Sequence, residues 1–283
     1  MFSLLKYSSS LFILISLVSP LLSQGHWEGT LPEKKENTDY KVFAENVNIR
    51  KEPSLKADVV TKLQPGSPVK VLKKINTVLA QGKVKEYWYK VKVGKEEGYV
   101  WGGLLSDYHL TLGKYEILVR NLGVTSEVLE IKAILDSKLI SSLKLDPGPV
   151  SNESWGHEFY NTDSFKPSPG EMFSLRYLVY SEIEYGFPNE TFITLKDGKL
   201  ASHFSRVPGM CDPPSCAESW LVFPEETLNA DSEIKRKVYK GKPNTIREIT
   251  RHYDIDDISA QEYYEREYLW NGKTFKEKEQ TQK

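Results

Sequence analysis

The chain has 283 residues, with 38 Lys or Arg against 39 Asp or Glu and a net charge of −1. That balance gives no reason to invoke nucleic acid as a partner, two cysteines alone cannot close a zinc site, and no segment beyond Leu22 is apolar enough to span a membrane. The even total hides an asymmetry: residues 40–105 hold 13 basic against 6 acidic side chains, whereas residues 115–275 hold 18 against 26. Opposite charge on two regions suits either attraction of the basic one to an anionic envelope polymer or attraction of the two for each other; lysines on strands also guard sheet edges against aggregation.

Met1 to Ser23 carries one basic residue, Lys6, then an apolar run from Leu11 to Leu22 and small residues at Ser23 and Gly25. The run is too short for a membrane span, which needs about twenty residues, and has the layout of a secretory signal peptide over residues 1–24. Residues 25–39 are polar and read as a flexible leader.

Short alternating segments follow. Val47–Arg50 reads as a strand and breaks at Glu52-Pro53-Ser54; Val59–Leu63 is a second, ending at Pro65-Gly66; Val69–Leu72 is a third. Pro presets φ and Gly accepts a positive one, so Pro65-Gly66 predicts a turn. After a looser loop at Asn76–Val84, Tyr87–Val93 alternates again and Tyr99–Trp101 closes the series. Five short strands without a helical period predict a small barrel over residues 40–106.

Val47-Asn48-Ile49-Arg50-Lys51-Glu52-Pro53-Ser54, Pro65-Gly66, Tyr87-Trp88-Tyr89-Lys90-Val91 and Gly98-Tyr99-Val100-Trp101 together resemble the bacterial SH3 domain. The resemblance covers about a quarter of the chain. It implies a non-catalytic module, commonly exported and often bound to cell-wall peptides or polymers.

Beyond the barrel the pattern stays β. Strands are predicted near Tyr115–Arg120, Val128–Leu135, Leu139–Leu145, Met172–Tyr180, Thr191–Leu195, Leu200–Arg206, Ser219–Phe223, Glu233–Tyr239, Thr245–Ile255, Glu262–Trp270 and Thr274–Phe275. Met172–Val179 alternates only loosely. Asp197-Gly198 and Asn271-Gly272 between strand-like runs predict two-residue type I′ hairpins. Asp257–Arg266 admits a helix, but Tyr264, Arg266, Tyr268 and Trp270 share one parity and favour a strand. The expected architecture is all-β: a small SH3-like barrel followed, over residues 112–276, by a larger antiparallel meander forming a sandwich or curled sheet, with residues 277–283 a disordered tail.

Candidates for chemistry are few. Cys211 and Cys216 suit a disulfide that closes a Pro-rich loop in an exported protein. A Cys-His nucleophile would need a base, the nearest being His203, and a helical catalytic segment that the sequence lacks. His157, His203 and His252 are far apart in the sequence and lack ligand spacing. Asp254, Asp256 and Glu265 match part of a calcium loop, but Ile258 and Ser259 fail at its fifth and sixth positions, which leaves a solvated acidic turn as the stronger reading. Glu182 and Glu184 point the same way on a strand and are explained as well by a solvent face as by glycoside hydrolysis. No P-loop, nucleophile elbow or HExxH motif is present, so no catalytic residue, metal ligand or cofactor is assigned.

The remaining candidates are outward aromatics. If Tyr89, Val91 and Val93 face the barrel core, Trp88, Lys90 and Lys92 face away, and Tyr99 and Trp101 flank inward Val100. These five form the expected ligand face, with a sugar ring stacked on Trp88 and acidic groups met by the lysines; the alternative is that Trp88 covers the barrel's open edge or the second module. The expected function is a secreted or periplasmic binding protein whose partner is a cell-wall or envelope polymer or an envelope protein. The alternative is an envelope hydrolase with its site in the second module.

Overall fold

A computed structural model describes residues 33–122, 128–180, 186–231, 236–257 and 261–282. The expected signal peptide, most of the leader, Glu182, Glu184, Ile258 and Ser259 lie outside the described residues.

Six strands make the first sheet: β1 (Asp39–Lys41), β2 (Val47–Arg50), β3 (Val59–Leu63), β4 (Pro68–Gln81), β5 (Val84–Val93) and β6 (Glu96–Trp101), in the order β1-β4-β5-β6-β2-β3. The sheet curls around Val42, Val47, Ile49, Val69, Val71, Tyr89, Val91, Val100 and Leu105. The loop expected at Asn76–Val84 is instead strand, because β4 and β5 continue their pairing outward to Gln81↔Val84 past two register shifts. Bulges of this kind blur the period-two signal on which a strand reading rests.

The leader, expected to be flexible through Asp39, is fixed from Glu33 onward. Lys34 is buried, forms an ion pair with Asp107, and donates its backbone N–H to Tyr89 Oη at 3.0 Å. Burial disfavours its ammonium, but Asp107 and Glu86 outweigh that and hold its pKa above the ordinary value.

A turn of 3₁₀ helix, Gly102–Leu104, leads to β7 (Tyr108–Leu112), β8 (Tyr115–Asn121), β9 (Leu129–Leu135) and β10 (Lys138–Leu145), a second antiparallel sheet. Barrel and second sheet meet at Phe43, which is fully buried with Leu118 and Ile134. The Arg120 guanidinium lies 4.6 Å and the Lys132 ammonium 4.2 Å from the centre of its ring, a pair of cation–π contacts. Arg120 also donates to Gly103 O, and Phe43 N–H to Leu104 O at 2.9 Å.

β11 (Val150–Tyr160), β12 (Glu171–Val179), β13 (Phe187–Lys196) and β14 (Lys199–Arg206) form a third sheet. One of its faces, with Phe173, Leu175, Tyr177, Ile193 and Leu195, packs on Ile117, Val119, Leu129 and Ile131 of the second sheet. The other face, with Met172, Phe192 and Phe204, packs on a fourth sheet built from β15 (Gly209–Asp212), β16 (Ser215–Val222), β19 (Thr245–Asp254), β20 (Glu262–Trp270) and β21 (Phe275–Gln282). The hairpin of β17 (Thr227–Asp231) and β18 (Arg236–Lys240) lays Leu228 and Tyr239 over the far side of that sheet.

The all-β class and antiparallel meanders are those expected, but three sheets are stacked where one sandwich or curled sheet was expected. The loose alternation of Met172–Val179 now has a cause: β12 is buried on both faces. β1, β7, β11, β15 and β17 were not anticipated; β11 in particular carries Ser, Asn, Glu, Gly and His that suppress the strand pattern. Asp197 and Gly198 have φ of 51° and 75°, the I′ turn predicted. Asn271-Gly272 is a wider turn, since Trp270 pairs with Phe275 and Asn271 Oδ1 accepts from the backbone N–H groups of Lys273 and Thr274. Glu262–Trp270 is a strand, and residues 277–282, expected to be a disordered tail, pair within β21.

Glu190 is the central charge of the layer between third and fourth sheets. It has no exposed surface, receives Arg206 Nε and Arg176 Nε each at 2.8 Å, and accepts from Ser174 Oγ at 2.7 Å. Burial alone would raise its pKa; the two arginines and Ser174 reverse that and hold it below the usual carboxylate range. Arg206 reaches on towards Glu248 at 3.8 Å, which accepts from Ser219 Oγ and Tyr268 Oη.

Glu190→Ala leaves Arg206 buried without its main counter-charge and should cost about 3–5 kcal/mol in urea unfolding; a loss within 1 kcal/mol or so would contradict this reading of the layer. His203, between Thr194 and Thr274 and edge-on to Trp270 and Phe275, is pushed by burial down to about 4. Because the unfolded chain binds a proton on this imidazole at higher pH than the folded chain, stability should fall as pH drops from about 6.5 towards 4. His203→Gln should flatten the fall in melting temperature across that window, and an unchanged slope would overturn the assignment.

Candidate ligand-binding face

The barrel core fixes which side chains of β5 and β6 can meet a ligand. Tyr89, Val91 and Val100 are fully buried inside, so the pleat turns Trp88, Lys90 and Lys92 on β5 and Glu97, Tyr99 and Trp101 on β6 to the outer face. The register places them opposite one another: Trp88 with Trp101, Lys90 with Tyr99, Lys92 with Glu97. All five residues expected on the ligand face therefore share one surface of two neighbouring strands. Their exposure is not equal. Lys92 is exposed and Tyr99 half-buried, whereas Trp88 and Trp101 are 3% and 4% exposed. The outward tryptophan is thus largely covered rather than standing free.

Trp101 is an anchor. Its Nε1–H lies 3.1 Å from both Leu79 O and Glu86 O, which ties it to the far end of the β4–β5 hairpin. Beneath that hairpin Glu86 is buried and accepts from Tyr89 Oη at 3.0 Å. Burial raises the Glu86 pKa above the ordinary carboxylate value, against the opposing pull of Lys34, and raises the Tyr89 phenol too. These groups brace the barrel from within.

Trp88 and Trp101 also border a groove of about 120 Å³ lined by Glu45, Asn46, Asn48, Arg50, Leu55 and Gln81 among others. A cavity this small is below the roughly 300 Å³ of a typical small-molecule site. It suits one sugar unit or one side chain of an extended ligand that continues across the surface. Asn46, Asn48 and Gln81 supply amide donors and acceptors, and Arg50 a guanidinium whose Nη1 is held by Ala57 O at 2.7 Å. β2 comes close enough to contribute because residue 98 is glycine. A Cβ there would stand 2.6 Å from Ile49 Cγ2 and 2.8 Å from Arg50 O, inside any permissible contact.

Asn48 and Arg50 were legible by the same parity that singled out Trp88, since Val47 and Ile49 point inward on β2. Gln81 was not, because it depends on the extension of β4.

Elsewhere the candidates separate. Cys211 and Cys216 are joined by a disulfide across the β15–β16 hairpin, with neither cysteine free. His203 contacts threonines and aromatics, not a thiol. His157 accepts from or donates to Tyr108 Oη at 2.6 Å on one side of the second module, and His252 stacks edge-on with Tyr264 on another. Among the described residues no three His, Cys, Asp or Glu side chains converge as metal ligands, and no helix is long and apolar enough to cross a membrane.

No curated protein and no solved structure matches the chain. A family model does match, over residues 45–106, and its bounds contain β2 to β6 together with the groove and the five outward residues. This match leads to one assignment: residues 45–106 are a bacterial SH3 domain.

Proposed function

We propose that the protein is an exported, non-catalytic binding protein whose SH3 domain holds cell-wall peptide or glycan against the β5–β6 face, with the stacked sheets as a rigid platform. The observation that carries this reading is the alignment of Trp88, Lys90, Lys92, Tyr99 and Trp101 in cross-strand register beside an amide-lined groove. Rings with a polar rim stack on sugar or peptide planes, and the amides answer hydroxyls or peptide groups. Export is supported by the apolar Leu11–Leu22 segment behind Lys6 and by the disulfide, which belongs to oxidising compartments. The domain's family supports the partner class, since bacterial SH3 domains often bind cell-wall material. In the second module the most deeply placed carboxylates, Glu190 and Glu248, are engaged with arginines and hydroxyls inside the sheet stack. That occupation favours a structural role for them over the work of an acid and a nucleophile.

The test is retention of the purified protein on insoluble peptidoglycan. Wild-type protein should sediment with the wall without releasing soluble fragments. Tyr99→Ala, which removes the half-buried ring of the face, should weaken retention by roughly thirtyfold, the effect of losing about 2 kcal/mol at an aromatic contact. Asn48→Ala, which removes a groove amide without opening the core, should weaken it by about fivefold, one hydrogen bond's worth. Retention unchanged in both variants would remove this face from the account, and released muropeptides would replace binding with hydrolysis.

A further inference from the structure

Cross-strand register exposes a second pattern on the same outer face. One row runs Asp39, Lys70, Lys92, Glu97 across β1, β4, β5 and β6, with an acid at each end and two lysines between. The next row runs Lys73, Lys90, Tyr99, Arg50 across β4, β5, β6 and β2. It contains three cations and no acid. Lys73 and Lys90 stand directly opposite each other, an arrangement that destabilises a sheet. Glu97 is the nearest compensation: it lies 2.7 Å from Lys90, and the bond lowers the Glu97 pKa and raises that of Lys90. Lys73 and Arg50 have no acidic partner among the described residues, and Arg50 is held only by Ala57 O.

Protection of sheet edges accounts for Lys73 alone, because β1 pairs with β4 only from Pro68 to Lys70; Lys90, Tyr99 and Arg50 have a paired strand on either side. The row is also next to the tryptophans, since Ile75, Trp88 and Trp101 form the following one, and Arg50 belongs to both the row and the groove lining.

We infer that Lys73, Lys90 and Arg50 form a strip that receives the anionic groups, phosphate or carboxylate, of a linear glycopolymer crossing β4, β5, β6 and β2 beside the tryptophan floor. Adjacent strands lie about 4.8 Å apart, so the strip extends about 14 Å. That length meets several charges of one chain, whereas a single free anion engages one cation at a time. The Tyr99 hydroxyl lies between the cations as a further donor. This inference rests on the binding role proposed above and names the ligand class of that same face.

The experiment compares retention of wild type, the double variant Arg50→Gln/Lys73→Gln, Glu97→Gln and Asn48→Ala on three materials: cell wall carrying its phosphodiester polymers, the same wall stripped of them, and an immobilised polyuronate. Wild type should prefer a charged material, losing that preference as ionic strength rises. The double variant should lose about fivefold there, as two solvent-exposed charge contacts predict, and no more than about twofold on the stripped wall, where only the place of Arg50 in the groove is felt. Glu97→Gln frees Lys90 and Lys92 and should bind charged material more tightly. Preference for the wall polymer or for the polyuronate identifies phosphate or carboxylate as the group received. Equal retention of wild type and double variant on every material, with Asn48→Ala still weakened, overturns the strip and leaves the groove standing. No retention of wild type on any material overturns both.

Discussion

The pleat of β5 and β6 is the constraint from which the functional face follows. Tyr89, Val91 and Val100 are locked inside the barrel with no exposed surface, so a one-residue slip in either strand would turn the core outward and the outward set inward. Register is therefore as strongly specified at Trp88, Lys90, Tyr99 and Trp101 as at the core itself. Gly98 completes the arrangement by letting β2 approach β6 closely enough to bring Arg50 and Asn48 beside the tryptophans. A surface with a tryptophan floor, an amide-lined groove and a cationic strip is then a consequence of packing on its other side.

The second module supplies attachment. Phe43 leaves the barrel between the charges of Arg120 and Lys132, and Lys34 closes on Asp107 at the barrel's end. Both contacts pair an aromatic or charged group with a buried partner at the junction. Beyond it the third sheet is packed on both faces, apolar towards the second sheet and mixed towards the fourth. There a run of stacked rings, Phe192 on Phe204 at 4.5 Å and Phe204 on Tyr268 at 3.8 Å, runs beside the Glu190 charge layer. Glu190 and its two arginines all belong to the third sheet, and it is Arg206, bonded to Ser219 and close to Glu248, that links this layer to the fourth.

Much of the barrel and its face was legible in sequence because alternation and turn residues act locally. Val47-Asn48-Ile49-Arg50 and Tyr87–Val93 declare their parity directly, and Pro65-Gly66 declares its turn. What escaped was non-local. β4 carries bulges that hide its outer half, β11 is an edge strand of polar residues, and β21 is held by pairing with β20 although its own sequence is charged. The coverage of Trp88 was likewise invisible, since the groove around it draws on Leu55 and Gln81, remote in sequence. The cationic strip needed the register of four strands; sequence showed only an excess of lysines.

Hydrogen exchange of the protein alone and saturated with soluble wall fragments tests the central claim most directly. Amide protection should rise in β2, β5, β6 and the 45–55 segment and stay unchanged in β15 to β21. Protection appearing in the fourth sheet with none around Trp88 would contradict the account.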